Sequence, residues 1–155
     1  MKQIFLLTFF FFGILIKSPA QSSSYKPINR AEFMRLMQTI AAGLNENNAR
    51  KAADCFALDA IYSEPPNKQI YRGRDRIFEF FGGWKGRPKV TQMVWHHLAF
   101  DEQTQTGSGE FSLTYGSTAH GMVSVRIRDG LIGNWREYFY QSALDWNGFV
   151  LQNPF

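Results

Sequence analysis

The second half of the sequence is a run of four strand-like segments separated by turns, and this pattern constrains the fold more than any other feature. The last two segments are joined by Asp129-Gly130, a dipeptide typical of two-residue β-hairpin turns. A polar loop over 101–106 and a tight turn over 116–118 separate the others. We therefore predict an antiparallel meander with strands over 90–100, 109–115, 119–128 and 131–141.

Helical periodicity is confined to the first half of the chain. Asn29 followed by Glu32 forms a capping-box pattern, and apolar residues then recur at helical spacing, which predicts a helix over 30–44. The other elements predicted for this half are a second helix over 49–56, strands over 60–64 and 69–71, and a third helix over 75–81. Helices followed by long antiparallel strands indicate an α+β fold, in which one curved sheet buries its inner face against the three helices.

The first twenty residues have the pattern of a secretory signal peptide. A short positive start with Lys2 precedes 13 largely apolar residues from Ile4 to Ile16, and small residues follow at Ser18 and Ala20. At about 1.5 Å per residue this segment spans about 20 Å, which is too short for a bilayer core of roughly 30 Å. We therefore predict cleavage after Ala20 and export to the periplasm or out of the cell, with no membrane association of the mature protein.

The charge and the cysteine content limit which partners and which disulfides the protein can have. Removal of residues 1–20 lowers the formal net charge from +4 to about +2, and no basic cluster suggests nucleic-acid binding. The single cysteine, Cys55, excludes an intrachain disulfide. We expect a buried thiol there, the alternative being an intersubunit disulfide. No metal-ligand spacing or phosphate-binding loop is present in the sequence, so we predict no metal and no cofactor.

Three groups of residues give the chain a family resemblance. They are 56–60 before the first long strand, 71–75 at the start of the third helix, and 129–139 at the end of the meander. This order of landmarks resembles the nuclear-transport-factor-2-like superfamily, and within it the SnoaL-like group, over about 33–141. The resemblance implies a cone-shaped fold, in which a bent antiparallel or mixed sheet wraps on the three helices and encloses one apolar pocket.

The N-terminal pattern and the resemblance together divide the chain into four parts. These are a signal peptide over 1–20, a polar leader over 21–29, the SnoaL-like domain over 30–142 and a C-terminal tail over 143–155 that packs on the domain. The superfamily contains both enzymes and non-catalytic binding domains, so the fold alone does not decide the function. The pocket residues must decide it.

Ketosteroid isomerases offer a first comparison with this family. Their proton-shuttling base is a carboxylate that ends the first strand before a proline, and Glu64 occupies that position here. The tyrosine and the carboxylic acid that stabilise the oxyanion in those enzymes correspond to Ile40 and to a position near Val123, and neither side chain can donate a hydrogen bond. The loss of each donor removes roughly a few kcal/mol of stabilisation, which argues against steroid isomerisation by that mechanism.

Limonene-epoxide hydrolases offer a second comparison. Their water-orienting tyrosine corresponds to Tyr62, the neighbouring asparagine to Glu64, and the carboxylate of their final strand to Glu137. Their arginine and aspartate should lie two residues apart on the strand over 109–115, where this sequence has neither. The resemblance therefore does not support epoxide hydrolysis.

Strand parity predicts which side chains share the pocket. Tyr62 and Glu64 lie on one face of the first strand, and Trp135, Glu137 and Phe139 lie on one face of the last. Burial beside aromatic rings raises the pKa of a carboxyl group toward the range useful in acid–base catalysis. Alternatively, Glu137 pairs with an arginine. The predicted catalytic residues are Tyr62, Glu64, His96 and Glu137, and the predicted ligand-binding residues are Phe56, Phe81, Trp84, Trp135 and Phe139.

Two strands of the meander have less certain inner faces. His96 shares parity with Val94 and Leu98, so it faces the pocket if that apolar set faces the helices. Met93 and Trp95 then lie on the outer face, where we predict a homodimer. On the strand over 109–115, the hydrolase comparison turns Glu110, Ser112 and Thr114 inward, whereas hydrophobic parity turns Phe111, Leu113 and Tyr115 inward.

Two classes of function remain open at this point. One is an exported enzyme that performs cofactor-free acid–base chemistry, of isomerase, lyase or hydrolase type, on a small apolar molecule. The other is a non-catalytic module whose pocket binds a ligand or a partner. Carboxyl groups gathered around one cavity favour the enzyme, and carboxylates neutralised by arginines favour the binding module.

Overall fold

The computed structural model describes residues 26–88 and 91–154, and it has an α+β fold built on one six-stranded sheet. The strands are β1 (Phe56–Glu64), β2 (Gln69–Arg72), β3 (Gln92–Asp101), β4 (Thr106–Thr114), β5 (Thr118–Arg128) and β6 (Leu131–Gln141). The helices are α1 (Arg30–Asn45), α2 (Ala49–Ala53), α3 (Arg74–Phe80) and α4 (Trp146–Gln152), with 3-10 turns at Pro65–Asn67 and Gly83–Lys85. The predicted fold class is confirmed.

The sheet is mixed, with the strand order β2-β1-β6-β5-β4-β3. All neighbouring strands are antiparallel except β1 and β6, which run parallel. The four strands of the second half form the predicted meander, and Asp129-Gly130 makes the turn with both residues at positive φ. The meander brings its last strand beside β1, so the two strands that carry the predicted carboxylates are direct neighbours.

Helix α1 begins as the capping box predicts and supplies much of the core. The Asn29 side chain accepts a hydrogen bond from the Glu32 backbone N–H, and the Glu32 carboxylate accepts one from the Asn29 backbone N–H, each at 2.9 Å. Phe33 is fully buried and stacks on Phe100 of β3 with ring centroids 4.4 Å apart. A Cβ atom at Gly107 would lie 2.3 Å from the Phe33 ring, so the glycine lets α1 approach the sheet closely.

The second helix is shorter than predicted, because Phe56 belongs to β1. Helix α2 ends at Ala53, and β1 begins at Phe56 rather than at Ala60. The alternation typical of a strand is interrupted here, since Leu58 and Asp59 are both exposed and the pairing with β6 shifts register between Phe56 and Ile61. Because of this irregularity, the alternation in the sequence did not predict the first half of β1.

A bulge in β3 reverses the predicted orientation of its first half. The register with β4 shifts between Trp95 and His97, so inward-facing positions change parity along the strand. Met93 is buried and Trp95 donates its indole N–H to the Met37 carbonyl at 2.9 Å, whereas Val94 is half exposed. The prediction that Met93 and Trp95 lie on the outer face is therefore wrong.

The ambiguity of β4 is resolved in favour of hydrophobic parity. Phe111 is buried, Leu113 packs against the core, and Glu110 and Ser112 bond to histidines of β3 and β5 on the opposite face. The hydrolase-based register for this strand is therefore wrong.

The C-terminal tail forms α4, which begins after Asp145 and lies against the outer face of the sheet. Trp146 stacks on His96 with ring centroids 3.8 Å apart, and Phe149 contacts His120 at 4.6 Å. The predicted signal peptide and most of the polar leader lie outside the described residues. Within the part of the chain that the structure describes, no helix is long and apolar enough to span a membrane.

Candidate active site

A cavity of about 480 Å³ lies between the helices and the inner face of the sheet. Much of its wall is apolar, with contributions from Ile40 and Leu44 of α1, Met93 of β3, Leu113 of β4 and Phe139 of β6. The polar groups in the wall include Tyr62, Glu64, Arg87 and Glu137. The predicted enclosure of one largely apolar pocket by the helices and the sheet thus matches the geometry of the described residues.

Strand pairing brings the two predicted carboxylates together. The parallel pairing of β1 and β6 aligns Tyr62 with Trp135, so Glu64 and Glu137, two residues further along each strand, meet on the same inner face. Both are buried, with 4% and 6% of their surface exposed. Among the described residues, neither forms a salt bridge with a lysine or an arginine. The alternative that an arginine neutralises Glu137 is therefore not seen.

The environment of Glu137 favours a carboxyl group that holds its proton near neutral pH. The pKa of Glu137 is raised to about 7, chiefly by burial and in part by the negative charge of Glu64. Hydrogen bonding from Tyr62 and from Trp135 acts in the opposite direction, and the Trp135 Nε1 lies 2.8 Å from the Glu137 Oε2. Burial is the largest of these effects, so it sets the direction of the shift.

Tyr62 and Asn67 fix the geometry of the carboxyl pair. The Tyr62 ring stacks on the Trp135 indole, with centroids 5.7 Å apart and planes 10° apart. Burial raises the pKa of Tyr62 well above its usual value, and the neighbouring Glu137 adds to the rise, so the hydroxyl remains a donor. Asn67, from the turn after β1, donates to the Glu64 Oε2 at 3.0 Å. Glu64 thus accepts a hydrogen bond from Asn67, whereas Glu137 is bonded by Tyr62 and Trp135.

This arrangement provides an acid and a base at one end of an apolar cavity. Two carboxyl groups in contact cannot both ionise easily, so one proton is shared between them over a range of pH. A general acid or base is most effective when its pKa lies near the working pH. The Glu64–Glu137 pair meets both conditions.

Six of the nine predicted site residues line the cavity. They are Tyr62, Glu64, Phe81, Trp135, Glu137 and Phe139. Phe56 does not reach the cavity, because it lies fully buried behind the wall, where its ring contacts those of Tyr62, Phe81 and Trp135. It supports the wall and is not placed to contact a ligand.

His96 and Trp84 do not line the cavity either, so these two placements are corrected. The bulge in β3 leaves His96 on the outer face, where its Nε2 lies 2.7 Å from the Ser112 Oγ and its ring is covered by Trp146. Trp84 is 81% exposed and packs edge-on against Phe78, outside the cavity. Within residues 26–88 and 91–154, no group of three potential ligands is placed to hold a metal ion.

Sequence reasoning missed Arg87, the cationic side chain in the wall of this cavity. Its guanidinium lies over the rings of Phe80 and Phe81, at 5.5 and 6.0 Å from their centroids, and 5.6 Å from that of Tyr115. No strand or helix pattern covers this position, because Arg87 lies in the loop between α3 and β3. The concentration of glycines at 82, 83 and 86 was the available signal that the loop approaches other backbone closely.

Residues 37–135 match the sequence profile of the SnoaL-like domain family. The chain belongs to this family. The predicted resemblance is thereby confirmed. A search among curated proteins finds no significant match to this SnoaL-like chain.

Solved structures share the fold of this SnoaL-like domain at low sequence identity. A protein from Kribbella flavida DSM 17836, whose name assigns it provisionally to the ketosteroid isomerases, is 20% identical, with a TM-score of 0.62 over 74% of this chain and 82% of that one. An LEH-like epoxide hydrolase from M. tuberculosis is 19% identical, with a TM-score of 0.60 over 79% and 91%. A protein of unknown function with a cystatin-like fold from Methylobium petroleophilum PM1 is 18% identical, with a TM-score of 0.65 over 80% and 93%.

The SnoaL-like cavity lacks donors at the two positions raised by the isomerase comparison. Ile40 lines the cavity, and Val123 is buried on β5. Tyr62 and the protonated form of Glu137 are donors beside the carboxyl pair. The donor set of this site therefore differs from the one that the isomerase comparison requires.

Proposed function

We propose that this SnoaL-like domain binds a small, largely apolar molecule in its cavity and performs cofactor-free acid–base chemistry on it. The observation that carries the proposal is the pair of buried carboxyl groups, Glu64 and Glu137, in the wall of the cavity. Neither is neutralised by a cation among the described residues. A protein that only stores an apolar ligand gains nothing from burying two carboxyl groups, because their desolvation is costly.

In this proposal Glu64 removes a proton from the bound molecule and Glu137 supplies one. Burial raises the pKa of Glu137 to about 7, so Glu137 holds a proton near neutral pH that it can supply, and we assign proton removal to the neighbouring Glu64. Tyr62 and Trp135 orient the Glu137 carboxyl group, since both contact it. Proton transfer of this kind is common to isomerases, lyases and hydrolases, so the proposal specifies the step and not the product.

A non-catalytic binding module is the second candidate. Two observations favour it, namely the absence of donors at Ile40 and Val123, and the engagement of Tyr62 and Trp135 with Glu137. In that case the carboxyl pair would only give the cavity a polar end that orients a ligand hydroxyl or amine.

Deuterium exchange separates the two candidates without knowledge of the product. The mature protein is incubated in D₂O with a panel of apolar ketones that carry exchangeable α-protons, and incorporation is followed by NMR. We expect catalysed exchange, lowered about 10²–10⁴-fold in Glu64→Gln. Glu110→Gln, which removes a carboxylate from the outer face of the sheet, is the matched control. Equal exchange by the wild type and by Glu64→Gln/Glu137→Gln would favour the binding module.

We further propose that the mature protein is exported and forms a homodimer through the outer face of the meander. The signal-peptide pattern of residues 1–20 supports export. The outer face carries large apolar side chains with substantial exposure, among them Val94, Met122, Tyr138 and Tyr140. Met122 and Tyr138 are register partners on β5 and β6, so they form a contiguous apolar patch. Trp95 packs against the core on the inner face, so it is not part of the proposed contact.

A further inference from the structure

Arg87 presents a positive charge to the cavity without a carboxylate partner. It takes part in no salt bridge among the described residues. Its guanidinium donates to the Phe80 carbonyl oxygen at 3.3 Å, and its central carbon lies 5.5 to 6.0 Å from the centroids of three aromatic rings. A guanidinium group has five N–H donors, and within residues 26–88 and 91–154 the Arg87 side chain makes one hydrogen bond, to Phe80, so it can also donate to a bound molecule.

The main chain of Arg87 is held in place by Asn47, from the turn between α1 and α2. The Arg87 backbone N–H donates to the Asn47 Oδ1 at 2.8 Å, and the Asn47 Nδ2 donates to the Arg87 carbonyl at 3.4 Å. Gly86 allows this contact, because it has a φ of 70° and a Cβ atom there would lie 2.7 Å from the Asn47 Nδ2. These contacts with Asn47 therefore hold the backbone of Arg87 at the cavity wall.

The cavity thus has two chemically different polar regions. The carboxyl pair on β1 and β6 is acidic, whereas Arg87, on the loop before β3, is basic, and no salt bridge joins them. The rest of the wall includes the apolar side chains of Ile40, Met93 and Leu113. A molecule that complements Arg87 and this apolar wall has an apolar body and an anionic group.

We propose that Arg87 is the recognition site for a carboxylate or similar anionic group of the ligand, so that the ligand class is a small amphipathic acid. The proposal rests on the proposed function, because it concerns the same molecule on which Glu64 and Glu137 would act. A guanidinium can pair with a planar carboxylate through two parallel hydrogen bonds, and the hydrogen bond to Phe80 and the surrounding rings hold Arg87 at the cavity wall. Arg87 attracts the anionic group of the ligand, whereas the carboxyl pair repels it. The anionic group therefore binds at Arg87.

Matched pairs of acids and amides test this assignment. The probes are octanoate, 4-phenylbutyrate and 2-naphthylacetate, each compared with its primary amide by isothermal titration calorimetry. We expect the acids to bind the wild type roughly 10- to 100-fold more tightly than the amides, as a charge-assisted hydrogen bond provides. Arg87→Gln should remove this preference, so that acids and amides bind with similar affinity, and a circular dichroism spectrum like that of the wild type would show that the variant is folded.

Arg50→Gln is the matched control. Arg50 also lies over aromatic rings, with its guanidinium carbon 3.9 Å from the Phe78 centroid, but it does not line the cavity. The acid preference should survive in this variant. If the amides bind the wild type as tightly as the acids, or if Arg87→Gln retains the preference, the anion site is wrong while the ligand-binding cavity stands. If no probe of either kind binds the wild type, both the anion site and the proposed binding function are contradicted.

Discussion

Trp135 donates its indole N–H to the carboxylate of Glu137 across 2.8 Å, and the two residues lie two positions apart on the inner face of β6. This contact fixes the direction of the carboxyl group toward the cavity. By itself it favours the charged form of Glu137, yet burial acts more strongly and raises the pKa to about 7. The site therefore holds a carboxyl group that is oriented by a hydrogen bond and kept partly protonated by desolvation.

The stability of the protein should depend on pH through Glu137. Its pKa is raised in the folded state, so its contribution is fully present below its ordinary pKa of 4.5 and is lost as the pH rises through about 7. Glu137→Gln cannot ionise and avoids this loss. We expect the free energy of unfolding of the variant, relative to wild type, to improve by on the order of 2 kcal/mol between pH 5 and pH 8.

Urea denaturation of both proteins at several pH values in this range measures the effect. Glu110→Gln serves as the control, because Glu110 lies on the opposite face of the sheet and pairs with His97. A difference between Glu137→Gln and wild type that stays constant with pH would show that Glu137 titrates normally.

Substitution in the outer apolar patch should dissociate the proposed homodimer without unfolding the domain. Met122 is 54% exposed, so Met122→Lys costs little within one subunit but buries a charge in the dimer contact. Sedimentation velocity should show a shift from dimer to monomer. Leu58→Lys, at a 78% exposed position at the start of β1, should remain dimeric. A wild-type protein that is monomeric at micromolar concentration would contradict the proposal.

The C-terminal helix should control the protonation of His96. Burial lowers the pKa of His96, and the neighbouring His120 and His97 lower it further. Trp146 stacks on the His96 ring, so Trp146→Ala should expose the ring and raise its pKa toward about 6.5. NMR titration of the His96 ring measures this, with Trp146→Phe as a control that retains an aromatic cover. An unchanged pKa in Trp146→Ala would mean that α4 does not shield the histidine.

The N-terminus of the mature protein should be Gln21. The pattern of residues 1–20 predicts cleavage after Ala20, because small residues occupy positions 18 and 20. N-terminal sequencing of the protein recovered from a secreting host measures this directly. Recovery of a membrane-bound product that retains Met1 would contradict the prediction.

Patterns of period two and of capping predicted most of this fold. Asn29 and Glu32 marked the start of α1, and the turn at Asp129-Gly130 fixed the final hairpin. Shared parity and the family resemblance predicted that Glu64 and Glu137 both face the pocket, but they did not predict that β1 and β6 pair directly. The predicted features depend on neighbouring residues or on a regular period, so they can be recognised in the sequence.

The errors arose where the backbone departs from regular periodicity. A single bulge between Trp95 and His97 reverses the faces of β3, and it placed His96 wrongly in the pocket. The alternation of apolar and polar residues in the sequence does not reveal where such a bulge occurs. Arg87 was missed because a loop residue has no periodicity, and its position depends on a distant contact with Asn47.

The most direct test of the central claim is an NMR titration of the Glu137 carboxyl carbon in the wild type and in Glu64→Gln. The account requires that burial and the adjoining Glu64 together keep Glu137 partly protonated near neutral pH. Glu137 should titrate near pH 7 in the wild type. In Glu64→Gln it should titrate at lower pH, because the neighbouring negative charge is gone, but still above 4.5 because burial remains. Titration of Glu137 near 4.5 in both proteins would contradict the acid–base site.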